Sequence, residues 1–195
     1  IRLLEHKDEE IVEIAAFGLG AGNYVPAVSS LVEVLMHENF KVQVTAAESL
    51  GKLKNRLAVE PLLSALKGPT NLQTKKAIIE ALGNIGDIKA IDSLVDIMKT
   101  YKPVPDMEQY RSSFASDGVE EEACWEEAFI ALSKLGNVET YEILFPFLHE
   151  YYYKDNIVKA CLNIKGKNTI EQLFAILQRI DNDKLIKERQ QWEMR

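Results

Sequence analysis

The sequence predicts an all-α protein, a right-handed α-solenoid (superhelix) of about five stacked helical hairpins. Two observations carry that prediction. The chain resembles itself at a step of 31 or 32 residues (Gly20, Gly51, Gly83), and internal periods of this size mark stacked repeats. Within each half-unit, apolar residues fall at i, i+3, i+4 and i+7, the spacing of an amphipathic helix. A hairpin of two such helices cannot cover its own apolar face, so neighbouring copies must stack to hide it. The balance of 47% apolar and 27% charged residues over 195 residues is that of a folded chain.

Each copy pairs a first helix ending in Leu-Gly with a second apolar run after a short polar turn. In the first copy (8–38), the run at 11–20 (IVEIAAFGLG) leads to that at 27–35 (AVSSLVEVL). In the second (39–68), residues 42–51 (VQVTAAESLG) lead to 58–66 (AVEPLLSAL). Pro61 lies early in that helix, where the missing N–H costs little because the first four are unpaired anyway. The third copy (70–100) runs from 74–83 (TKKAIIEALG) to 90–98 (AIDSLVDIM). Ile78, Ile79 and Leu82 form one of its stripes, and Ile91, Leu94, Val95 and Met98 the other. Gly83 and Gly86 are expected to supply turn conformations, and Asp87 or Asn137 to cap the next helix. The fourth copy (119–151) contains 127–136 (EAFIALSKLG) and 140–148 (TYEILFPFL). A degenerate fifth (155–180) is followed by a C-terminal helix at 181–195, and the whole is expected to form a single array over 1–195. Ile1, Leu3, Leu4 and His6 match Val32, Val34, Leu35 and His37 at an offset of 31, so residues 1–7 read as the tail of a truncated upstream repeat. That apolar start, where terminal repeats are polar, gives the expectation of a piece of a longer array.

The step lengthens to 50 between Gly86 and Gly136. The extra residues lie at 101–118, where Pro103 and Pro105 forbid a continuing helix and a Ser/Asp/Gly stretch reads as an irregular loop. Loops of this length are functional or merely tolerated insertions. Asp117 to Glu127 then brings six acids and no base. The helix macrodipole accounts for the acids in the first turn but not for Glu126 and Glu127, which leaves a solvated face or a site for a basic partner.

Acids recur just inside the second helices, at Glu60, Asp92, Glu142 and Glu171, with Glu33 and Asp96 equivalent to each other. Stacking aligns these places into a row. It reads either as dipole complementation at helix starts or as an acidic groove for a basic peptide or helix. The fourth copy is rich in aromatic residues. Phe129, Tyr141 and Phe145 match core positions. Tyr151, Tyr152 and Tyr153 cannot all face inward, because adjacent helical residues lie about 100° apart. With Trp125 they are candidate apolar anchors, since Tyr and Trp are favoured at interfaces.

The stretch AAESLGKLKNRLAVEPLL at 46–63 resembles a HEAT-like repeat of the phycobilisome-lyase type, and IEALGNIGDIKAI at 79–91 resembles it equally. The resemblance covers most of the chain and implies an armadillo-like α-solenoid. It implies no single function, because such repeats serve in scaffolds, bilin lyase subunits, a di-iron hydroxylase and DNA glycosylases. The HEAT-like deoxyhypusine hydroxylases hold two irons with His-Glu pairs on first helices. The matching places here are Val44-Thr45, Lys76-Ala77 and Glu126-Glu127, whereas His37-Glu38 and His149-Glu150 end second helices. No metal site is expected.

Other chemistry is missing from the sequence. It shows no P-loop, no dinucleotide fingerprint following a strand and no His-Glu-x-x-His motif. Cys124 and Cys161 lack a CxxC partner and read as buried thiols of a reducing, cytoplasmic protein. A net charge of −7 opposes nucleic-acid binding, and no apolar run suits a membrane span. The reading is therefore a non-enzymatic scaffold module with no catalytic residues and no cofactor, probed by no membrane or nucleic acid. It binds a protein or peptide, with a basic one favoured, through Glu60, Asp92, Asp96, Trp125, Glu142, Tyr151, Tyr152 and Tyr153. The competing reading is a bilin lyase-like subunit that assists chromophore attachment to a phycobiliprotein.

Overall fold

The computed structural model describes residues 1–100 and 117–135, together with Thr140 and Leu144; for 117–123 it describes the backbone alone. The chain divides into two compact units, Ile1–Leu135 and Gly136–Arg195. The predicted insertion at 101–118 falls outside the described residues up to position 116, as do the fourth copy beyond Leu135 apart from Thr140 and Leu144, all of the fifth copy and the predicted C-terminal helix.

Every regular element among the described residues is helical. Three hairpins follow one another: α1 (Glu9–Ala21) with α2 (Val28–Val34), α3 (Phe40–Leu53) with α4 (Val59–Lys67), and α5 (Leu72–Ile85) with α6 (Ile91–Thr100). Then comes α7 (Asp117–Leu135), which begins two residues ahead of the predicted fourth copy. A 3₁₀ turn precedes each second helix, at Val25–Ala27, Arg56–Ala58 and Ile88–Ala90.

Local sequence sets the helix starts. Asp8, Asn39 and Asn71 are N-caps whose side chains accept from the backbone N–H of Glu10, Lys41 and Thr74. Each such bond satisfies a donor that the first turn leaves unpaired. Two histidines prepare the same corners. His6 Nδ1 accepts from the Asp8 N–H and His37 Nδ1 from the Asn39 N–H, both at 3.0 Å. Each imidazole nitrogen thus accepts a backbone hydrogen bond on the way into the next helix.

The stack is built by first helices lying on first helices: α1 on α3, α3 on α5, and α5 on α7. They run parallel. The Asn39 amide bonds Glu9 near the starts of α3 and α1, while Lys52 lies over Phe17 near their ends. Each second helix closes against the next first helix, α2 on α3, α4 on α5 and α6 on α7. The 3₁₀ turn at Arg2–Glu5 packs on α1 in the same way, with Leu4 buried like its counterpart Leu35. The predicted stripes Ile78, Ile79, Leu82 and Ile91, Leu94, Val95, Met98 are all buried.

The recurring Leu-Gly glycine corrects one expectation. Gly83 does not make a turn; it lies inside α5, as Gly51 lies inside α3 and Gly20 inside α1. A Cβ on Gly51 would stand 2.8 Å from Ala81 Cα, one on Gly83 2.7 Å from Ala131 Cα, and one on Gly20 2.7 Å from Ser49 Cα. The glycine lets two backbones approach where any side chain would collide. Ser49, Ala81 and Ala131 are themselves equivalent positions, so the contact repeats in register along the stack. Ser49 adds a buried hydrogen bond, donating to the Ala16 carbonyl at 2.9 Å. Gly86 does fill its expected role, ending α5 at φ +74° where L-residues are strained.

Candidate partner-binding surfaces

The acidic row sits on the second helices, which follow the 3₁₀ turns; Asn55 and Asp87 cap the turns before α4 and α6. Glu60, Asp92, Asp96 and Glu33 are all exposed. The row is less uniform than the sequence suggested. Lys89 Nζ donates to Glu60 at 2.9 Å, and the acceptor carboxylate holds this ammonium above the ordinary lysine range, first through the hydrogen bond and then through charge. Lys99 stands 4.0 Å from Asp96. Arg56 reaches Asp87 at 3.6 Å, tying the turn before α4 to the turn before α6. Cations thus interleave with the acids, and Glu33 and Asp92 are the carboxylates of the row that form no ion pair among the described residues. Such exposed pairs contribute little to stability, so they shape potential rather than hold the fold.

Trp125 occupies the core, contrary to its grouping with exposed anchors. It is 2% exposed and stacks on Phe129, with ring centroids 5.4 Å apart. The physical reason is its place one turn before Phe129 on α7, which puts both rings on one face. Glu142, Tyr151, Tyr152 and Tyr153 lie outside the described residues.

Beside Trp125, Glu127 is half-buried on α7, with Lys76 of α5 at 3.9 Å. Burial pushes its carboxyl above the ordinary glutamate range, and Lys76 offsets part of that rise. This pair serves the α5–α7 contact; among the described residues no group of three His, Cys, Asp or Glu side chains is placed to hold a metal ion.

Two apolar surfaces escaped the sequence reading. Tyr24, Val25, Leu57 and Ile88 are exposed on or beside the 3₁₀ turns, so they share one edge of successive hairpins. Ile14 and Phe17 are exposed on α1. An alignment of the copies carried the signal for the second. Position 14 holds Ile where the other copies hold Thr45, Ala77 and Glu127.

Comparison with known proteins places this architecture. Residues 28–104 match the family of HEAT repeats. The chain is 33% identical over 112 residues to the bilin biosynthesis protein PecE of Mastigocladus laminosus, a match covering 54% of this chain and 42% of that protein. It is 30% identical over 112 residues to PecE of Nostoc sp. PCC 7120, covering 54% of this chain and 44% of the relative. The match thus spans less than half the length of these curated relatives. Among solved structures, the complex of CpcE and CpcF of phycocyanin lyase from Nostoc sp. PCC 7120 contains a chain of the same fold. It aligns with a TM-score of 0.64 at 21% identity, covering 88% of this chain and 63% of that one. No helix among the described residues is long and apolar enough to cross a membrane. Stacked helical hairpins and a glycine register repeated between first helices thus agree with these likenesses: the chain carries HEAT repeats over residues 28–104, has the fold of the phycocyanin lyase chain, and is similar in sequence to part of the PecE proteins.

Proposed function

We propose that the chain is a helical-repeat module of a bilin lyase-like subunit. It works with a second protein chain to bring a bilin and its phycobiliprotein acceptor together, in the cytoplasm and without catalytic residues of its own. The observation that carries this reading is the 33% identity to a bilin biosynthesis protein over more than half the chain. The geometry supports it: a stack of rigid hairpins offers an extended surface with acidic second helices and an apolar edge at Tyr24, Val25, Leu57 and Ile88. Charge on such a surface sets encounter rate and orientation, while apolar side chains supply contact area.

The test is direct. The chain, alone and with CpcF of Nostoc sp. PCC 7120, is mixed with bilin and apo-phycocyanin, and visible absorbance is followed. Covalent attachment is then scored on the denatured acceptor. This reading expects a shifted absorbance on bilin addition and faster attachment when both chains are present. Unchanged spectra and an unchanged attachment rate would overturn it and favour the simpler scaffold reading, in which Glu60, Asp92 and Asp96 receive a basic peptide. The scaffold reading in turn requires affinity that falls as salt rises to physiological strength.

A further inference from the structure

We infer that the turn between α3 and α4 is a docking point for the phycobiliprotein acceptor. It takes an acidic stretch of that protein, with an apolar side chain set on Leu57 and carboxylates on Lys54 and Arg56. This inference rests on the proposed function and names the surface through which one of its partners is held.

Each first helix is followed by one residue in the left-handed conformation. Asn23, Lys54 and Gly86 hold this place in the three copies, with φ of +51°, +49° and +74°. Glycine and asparagine suit that conformation, whereas a lysine Cβ crowds the following carbonyl oxygen. Helix-end charge does not explain the lysine, because Lys52 already stands in the last turn of α3, where a cation meets the dipole. Lys54 is exposed and forms no ion pair among the described residues. The second copy thus keeps a strained cation where its neighbours keep a relaxed residue. Strain retained at such a place signals a task outside the fold.

Leu57 stands out in the same turn. Each 3₁₀ turn has two outward places and one buried alanine, Ala27, Ala58 or Ala90. Leu57 fills an outward place that holds Pro26 and Lys89 in the other copies, so stacking does not require an apolar residue there. At 75% exposure it is the most open large apolar side chain among the described residues. Residues 52–57 (KLKNRL) carry three exposed cations and no acid, in a chain of net charge −7. Lys52 leans over the Phe17 ring at 4.9 Å, and Arg56 reaches Asp87 at 3.6 Å, which leaves Lys54 fully available. An apolar centre beside cations complements an apolar side chain beside carboxylates.

The size of the patch selects the acceptor over a second lyase chain. One apolar side chain among solvated charges gives a small, polar contact that forms fast and releases. An acceptor leaves once its bilin is attached, whereas a lasting pair of subunits needs a broader, more apolar interface.

Two variants test these features. Lys54→Gly installs the residue of the third copy, so the free chain melts higher than the parent, while its affinity for the acceptor falls several-fold. Leu57→Ser changes a side chain that the fold leaves in water, so melting is unchanged and affinity falls roughly tenfold. The probe is apo-phycocyanin, titrated with CpcF present at low and physiological salt, and amide exchange on the complex locates the contact. Affinity that weakens with salt, weaker binding in both variants and slowed exchange at 52–58 are expected. If the parent and both variants bind apo-phycocyanin equally and 52–58 exchange as in the free chain, this inference is overturned while the proposed function stands. Variants that weaken binding of CpcF, or of a DNA oligonucleotide, and not of apo-phycocyanin give the patch to another partner and overturn it too. A parent chain that neither binds apo-phycocyanin nor changes the attachment rate sinks both.

Discussion

Replacing Gly51 by alanine separates the stacking account from ordinary helix propensity. An alanine Cβ at this position would lie 2.8 Å from Ala81 Cα and 3.1 Å from Ala81 Cβ. Carbon atoms settle at about 3.5–4.0 Å, so α3 and α5 would have to part by roughly 1 Å at their contact. The atom met is backbone, which cannot rotate away. The cost belongs at the upper part of the usual overpacking range, about 2–3 kcal/mol. Alanine returns about 1 kcal/mol of helix propensity over glycine, leaving a net loss of about 1–2 kcal/mol. The same substitution at Gly18 meets no atom within 4 Å, so only the propensity gain remains, about 0.5–1 kcal/mol of added stability. Urea unfolding followed by far-UV circular dichroism reads both as shifts of midpoint at constant slope. Opposite signs are expected. If Gly51→Ala stabilised the chain as much as Gly18→Ala does, the close approach of first helices would be wrong.

Other substitutions follow from the same geometry. Ser49→Ala keeps a side chain the register tolerates but loses the buried bond to the Ala16 carbonyl, for an expected loss of about 1 kcal/mol in the same unfolding assay. Asn71→Ala removes the cap that accepts from the Thr74 N–H at 2.8 Å, with a loss of about 1 kcal/mol and increased amide exchange in the first turn of α5. Glu127 gives a pH signature. Its folded-state affinity for a proton is raised by burial, so the folded chain binds more protons than the unfolded one just above the ordinary glutamate range. Stability therefore falls as pH rises through that window and is higher below it. Glu127→Gln should flatten that part of the stability–pH curve, and an unaltered curve would contradict the assignment. Lys89→Ala releases Glu60 from its hydrogen-bonded cation. If the acidic row receives a basic partner, that variant should bind more tightly at low salt and lose affinity more steeply as salt is added.

The fold was legible because stacking leaves a periodic trace. A chain that must bury the same face in every copy repeats the same apolar spacing, and the step from Gly20 to Gly51 to Gly83 exposes it. What those glycines do was not legible. A Leu-Gly pair followed by Gly86 reads as punctuation, and only the position of Ala131, 48 residues beyond Gly83, shows that Gly83 marks a helix crossing. Trp125 was misplaced for a related reason. Interface and core favour the same rings, and which side of α7 faces α5 and α6 is a property of the stack. The acids Glu60, Asp92 and Asp96 were found at the surface from their helix positions, but Lys89 neutralises Glu60 across a separation of 29 residues. No local pattern announces such a pair. The exposed Ile14 on α1 was readable in principle as a departure from the repeat, since it stands where Thr45 and Ala77 stand in the next copies.

Residue-resolved amide exchange on the free chain would probe the foundation of all these proposals. First helices flanked on both sides should open last, because two neighbours must move before they do. The middles of α3 and α5 are therefore expected to exchange most slowly, and α1, which among the described residues has one first helix beside it, markedly faster. Equal protection of α1 and α3, or fast exchange at Gly51 and Ala81, would mean that the helices do not lie on one another through these small residues.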